Sequence, residues 1–190
     1  MAIAAVRPAA AGDVDEIVRI QEDTWRAAYA GLVPAAALDQ LGGPAARESW
    51  AAAVAAGEGR HVLVATEGRW TVGFCAAAHY AGEGAQTAGI AEIAEIAVLL
   101  VEPRWGRRGH GGRLLAAAAA ALRGHGAERG QAWIPAADAA SRSFYLRAGW
   151  EHDGAARTLD TGEGTLREIR MSGSLALRLE RAQGGADVGG

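Results

Sequence analysis

The chain has no lysine and no asparagine, and all nineteen of its basic residues are arginine. Without lysine it cannot form a nucleotide-triphosphate loop, which needs a Lys after its last glycine to reach the phosphates. Its single cysteine, Cys75, excludes an internal disulfide framework and any metal site built on several thiolates. The five histidines (His61, His79, His110, His125 and His152) are scattered without metal-ligand spacing. No apolar run is long enough to cross a bilayer. The opening "MAIAAVRPAAAGDVDE" lacks the basic start and apolar core of a secretory signal. A net charge of −3 is the wrong sign for a polyanion binder. Arg104, Arg107, Arg108 and Arg113 are accompanied by no aromatic ladder of the kind single-stranded nucleic acid requires. The expectation is a cytoplasmic protein with no nucleic-acid, membrane or metal partner.

What is present suits one globular domain. Half of the 190 residues are hydrophobic, enough to bury a core. "IAAVRPA" reads as a first strand, and Asp13 as the cap of a helix through "VDEIVRIQEDTWRAAYA". A second helical region breaks at Gly42-Gly43-Pro44. "HVLVAT" and "TVGFCAAAHY" form a hairpin around "EGRW", and the apolar "IAEIAEIAVLLV" suits the centre of a sheet. A glycine-rich turn then opens a Leu/Ala helix to about Gly124. "QAWIP" is a strand, "DAASRSFYLRAG" a helix stopped by Gly149, and "TLREIRMSG" a late strand. The acids Asp160 and Glu163 fall on a loop, "TLDTGEGT". The sum is an α+β domain over residues 1–182 with mixed strand pairing and a tail, 183–190, expected to be disordered.

The glycine-rich turn, "VEPRWGRRGHGGRLL", carries the most chemistry. A flexible turn opening a helix leaves unpaired N–H groups backed by the positive end of the helix dipole, which favours a phosphate. A dinucleotide fingerprint would need glycine at the sixth position from Gly109, where Leu114 stands. The stretch instead resembles the acetyl-coenzyme A signature of the GNAT superfamily of N-acetyltransferases. That signature is a strand, a Pro-containing bend and Q/R-x-x-G-x-G/A at a helix start. Here it falls on Gly106-Arg107-Arg108-Gly109-His110-Gly111. Gly106 occupies the Gln/Arg position, which leaves any side-chain phosphate contact to Arg107 or Arg108. "DAASRSFYLRAGWEHDG" resembles the family's second motif, N-x-x-A-x-x-F-Y-x-x-x-G-F. Phe144, Tyr145 and Gly149 match, Asp138 stands at the Asn position, Ser141 at the Ala position, and Trp150 replaces the Phe.

The resemblance implies a mostly antiparallel sheet flanked by helices, with a splayed strand pair holding acetyl-CoA as co-substrate. It implies direct acetyl transfer to a primary amine, and homodimerisation by family habit. Arg107, Arg108, Gly109, His110, Gly111 and Gly112 would cradle the pyrophosphate with backbone N–H groups, Leu99, Leu100 and Val101 would pair with the pantetheine arm, and Gly106 and Asp138, at their motif positions, would complete the cofactor-binding set. Glu95, eleven residues before Gly106, stands where the family often carries a general base. Its alternative is a strand-end carboxylate paired with an arginine. Glu92 lies three residues earlier and should point to the other face. Tyr145 matches the tyrosine that faces the cofactor sulfur; its alternative is a core aromatic. Trp25 and Tyr29 either line the acceptor pocket or pack. The rival to an enzyme is a protein that binds acetyl-CoA on the same fold without turnover.

Overall fold

A computed structural model describes residues 3–57, 59–79, 93–162 and 164–177. The expected tail at 183–190, Glu92 and Glu163 lie outside them. The elements run β1 (Ala4–Pro8), α1 (Val14–Tyr29), α2 (Ala35–Gln40), α3 (Pro44–Ala55), β2 (Arg60–Glu67), β3 (Trp70–His79) and β4 (Ile93–Val101). Then come α4 (His110–Gly124), β5 (Arg129–Pro135), α5 (Ala139–Arg147), β6 (Glu151–Asp160) and β7 (Thr165–Ser174). Seven strands form one sheet in the order β1-β2-β3-β4-β5-β7-β6. Only β4–β5 is parallel, because α4 carries the chain back across the sheet between them.

Each face of the sheet has its own core. On one, Leu114, Leu115, Ala118, Ala119 and Leu122 of α4 meet Cys75, Ala94, Ile96, Ala132 and Met171. The apolar residues of α4 recur at helical spacing, and its alanines let the backbone approach the strands closely. On the other, Ile17 and Ile20 of α1 and Trp50 of α3 cover Val64, Phe74, Val98 and Leu100.

Two sequence readings need correction. Asp13 does not cap α1 with its side chain. It closes a 3-10 turn, Ala11–Asp13, accepting from the Ala10 N–H at 2.8 Å and from Arg7 at 2.7 and 2.8 Å. The segment before the late strand is itself a strand, β6, and Asp160 is its last residue rather than part of a loop. β6 is an edge strand exposed on nearly its whole length, so it carries no alternation of apolar residues to reveal it.

Trp150, which takes the motif's Phe position, is 1% exposed. It lies over Gly130 and Gly173, a directly paired couple on β5 and β7. A Cβ at Gly130 would come within 2.6 Å of the indole, and one at Gly173 within 2.9 Å of the Trp150 Cα. Because a backbone atom cannot rotate away, Gly173→Ala is expected to cost about 1–3 kcal/mol. A thermal melt should show Tm lowered by roughly 2–4 °C per kcal/mol.

Candidate active site

Among the described residues β4 and β5 pair over three positions, ending at Glu95↔Gln131, and then part. The cause lies on the other side of β4. Its register with β3 slips between Ala76↔Val98 and Ala77↔Ile96, so Ala97 is an extra residue, a bulge. A bulge bends its strand and increases its twist, here where pairing with β5 stops. Beyond it the Glu102 N–H donates to the Val72 carbonyl at 2.9 Å. Antiparallel hydrogen bonding alternates residue by residue, so Leu100 bonds to β3 while the N–H and C=O of Leu99 and Val101 face the gap left by β5. Of the three strand residues expected to meet a pantetheine arm, two therefore offer their backbone, and Leu100 turns its side chain to the α1 layer.

The gap leads to the turn before α4. A 3-10 turn, Pro103–Trp105, ends with the Gly106 N–H bonded to the Pro103 carbonyl. Arg107 then takes φ +61° and Gly109 φ +81°, alternations that turn successive N–H groups toward one side. Among the described residues no backbone carbonyl accepts from the N–H groups of residues 107–112, and the first helical bond is Arg113 N–H to Gly109. Space beside Gly112 is open.

Side chains fix this turn. His110 is 1% exposed and points inward, its Nε2 2.9 Å from Glu67, so only its backbone faces the gap. Glu67 also accepts from Arg108 at 3.1 Å, and the Arg108 guanidinium lies 4.9 Å from the centre of the Trp105 ring. Arg107 is exposed and has no side-chain partner among the described residues. Gly111 has helical backbone, and a Cβ on it would meet Phe144 at 3.2 Å and Leu99 at 3.8 Å. The glycine therefore lets α4, α5 and β4 meet at the mouth of the gap.

From α5 comes Tyr145, 4% exposed and stacked on Trp150 at 5.2 Å. Burial drives its hydroxyl pKa up, with the Cys75 thiol and Tyr29 adding to the rise, so it is a proton donor and not a phenolate at neutral pH. Cys75, on β3 opposite Leu99, is fully buried and pushed up to about 12. Asp138 caps α5: Oδ1 accepts from the Ser141 N–H at 2.9 Å, and Oδ2 from the Ser141 hydroxyl at 2.6 Å and the Tyr29 hydroxyl at 2.5 Å. Burial works to raise the Asp138 pKa, but these bonds outweigh it and hold the carboxyl below its usual range. Its lone pairs are committed to α5 and to α1, so its observed role is to tie the two together. Trp25 packs edge-to-face on Tyr29 at 5.0 Å, in a cluster with Val33, Leu38 and Leu166. The two aromatics thus pack, and Tyr29 also reaches α5.

Glu95 lies at the foot of the gap, half-buried. It accepts from the Gln131 amide at 3.2 Å and has no arginine partner among the described residues. The alternative of a strand-end ion pair finds no cation among the described residues. Gln131 itself escapes sequence reading, because its only signal is a polar residue inside an apolar strand.

An acetyltransferase (GNAT) domain model matches residues 58–152, half of the chain. Curated proteins provide no match. Among solved structures, the PaiA N-acetyltransferase from Thermoplasma acidophilum in complex with coenzyme A superposes with a TM-score of 0.72 at 16% identity, covering 90% of this chain and 99% of that one. The ribosomal-protein-alanine N-acetyltransferase from Brucella melitensis gives 0.66 at 21% identity, covering 90% and 99%. The Salmonella typhimurium protein yncA with its cofactor acetyl-CoA gives 0.61 at 21%, covering 96% and 98%. At such identities the neighbours speak for the fold, while the family model spans β2 to the start of β6 and so includes the bulge, the gap and the glycine turn. The chain belongs to the GNAT acetyltransferases.

Proposed function

We propose that this protein transfers the acetyl group of acetyl-CoA directly to the amine of an acceptor, in the cytoplasm. One continuous feature carries the reading: a strand edge with backbone groups at Leu99 and Val101 turned to the gap runs into a helix start whose N–H groups, 107–112, have no backbone acceptor among the described residues. That sequence of donors and acceptors suits an amide-containing arm ending in a pyrophosphate. Arg107, exposed beside it, supplies a cation for the phosphates.

Acetyl-CoA brings a thioester, activated for attack but inert until an amine loses its proton. An alkylammonium has a reference pKa near ~10.4, so at neutral pH a base is required. Glu95, paired among the described residues with a neutral amide alone, takes that proton directly or through one water. When the C–S bond breaks the sulfur leaves as a thiolate, and Tyr145, neutral in its buried site, donates its proton or a hydrogen bond to it.

A thiol-release assay with acetyl-CoA over a panel of amines tests the reading. Saturable acetyl-CoA binding with no turnover on any acceptor would reassign the protein as a binder or sensor. Tyr145→Phe keeps the ring on Trp150 and removes only the hydroxyl. The expected result is kcat lowered about 10–100-fold, the worth of one hydrogen bond to a charged group, with KM for acetyl-CoA little changed. Wild-type kcat under conditions where chemistry limits the rate would make Tyr145 a core residue alone.

A further inference from the structure

The face of the sheet that carries Glu95 is covered by α1 and α3 over β2 to β4. Over β5, β7 and β6 the cover thins to the cluster around Leu166. Cross-strand registers place Gln131, Trp133, Arg170, Glu168 and Arg157 on this same face as Glu95. Trp133 stays half-exposed, with the Arg157 guanidinium 4.4 Å and that of Arg170 5.6 Å from the centre of its ring.

Both arginines are held by the same edge. Arg157 donates from Nε to Glu168 at 2.6 Å, and Arg170 from Nε to Asp153 at 2.7 Å. The Arg157 terminal nitrogens have no partner among the described residues, and one of Arg170 reaches the Gln131 carbonyl oxygen only at 3.5 Å. A guanidinium pinned at Nε and stacked on an aromatic ring is fixed in plane with its outer N–H donors free, which is the geometry that takes an oxyanion. Gln131 spans from this pair to Glu95, accepting from Arg170 with its oxygen and donating to Glu95 with its nitrogen. The floor of the face thus carries two ion-paired guanidiniums with outer N–H donors to spare at one end, and at the other Glu95, bonded among the described residues to a neutral amide.

We propose that the acetyl acceptor is an amine that also bears an oxyanionic group, a carboxylate or a phosphonate, with the anion on Arg157 and Arg170 over Trp133 and the amine toward Glu95. The assignment rests on the acetyl-transfer reading above. A polyamine or an uncharged alkylamine offers no acceptor to the outer guanidinium N–H groups and would leave them to water.

The test compares matched amines in the thiol-release assay: an α-amino acid with its carboxamide, and an aminoalkylphosphonate with the alkylamine of equal length. Wild-type protein is expected to favour one of the anionic members by about 10–100-fold in kcat/KM, the contribution of one charge-assisted contact. The two pairs show which anion fits. In Arg170→Gln, and separately in Arg157→Gln, that ratio should collapse toward one, with acetyl-CoA affinity and Tm measured alongside to show that the fold survives. Equal turnover of the neutral amines, or a preference that outlives both substitutions, would overturn the proposal. Calorimetric titration of the amino acid and the phosphonate into the protein–CoA complex separates the two readings. Binding lost in Arg170→Gln without turnover of any amine would keep the anion site and remove acetyl transfer. Neither binding nor turnover would remove both.

Discussion

Glu95→Gln is expected to lower kcat/KM for the acceptor about 10²–10⁴-fold at pH 7, the usual worth of a positioned base. The loss should shrink steadily as the pH approaches the ~10.4 of an alkylamine, where solvent deprotonates the amine unaided. The substitution is structurally mild. A glutamine at 95 still offers a carbonyl oxygen to the Gln131 amide that now donates to Glu95 at 3.2 Å, and no arginine loses a partner. Tm and acetyl-CoA affinity should therefore stay near wild type. A loss of the same size from pH 7 to pH 10 would mean that the carboxylate is not the base.

Gly109→Val is expected to weaken acetyl-CoA binding by about 10²–10⁴-fold, the equivalent of losing two hydrogen bonds to a charged group. Gly109 sits at φ +81°, a region that costs a residue with a Cβ ~1–2 kcal/mol and a β-branched one still more. Relief requires the turn to rotate, which swings the N–H groups of residues 107–112 away from their common side. Side-chain clash contributes little, since the neighbour at 3.4 Å is the mobile end of Arg113. Gly111→Val is the poorer test. There the backbone is helical and a Cβ pushes on Phe144, so lost binding would mix a blocked cradle with a displaced α5. Titration calorimetry gives the affinity, and wild-type binding by Gly109→Val would remove the turn from the cofactor site.

Most of the fold can be read from the chain, because α1, α4 and the inner strands bury one face or both. The Leu/Ala stripe of α4, the apolar run of β4 at the middle of the sheet and the break before Pro44 all announce themselves by spacing. β6 does not. It is a polar edge strand whose existence depends on β7 offering it a ladder. Asp13 misleads for a related reason: a carboxylate before a helix is a capping candidate in any sequence, but Arg7 on β1 lies close enough to claim it.

For the site, the residues on one local segment were legible and those that meet across segments were not. The glycine turn is a local structure, and its N–H groups point together because of the φ angles of Arg107 and Gly109. Asp138 as partner of Tyr29, 109 positions away, depends on how α1 sits against α5. The sequence by itself determined a sheet-and-helix chain with a glycine-rich turn opening a helix after its central strand, since periodicity and glycine placement act within a few residues. Tertiary structure alone decided that a bulge at Ala97 parts β4 from β5, that Glu95 meets Gln131, and that Arg157 and Arg170 gather on Trp133. Those are matters of strand register, and register is settled by the whole core at once.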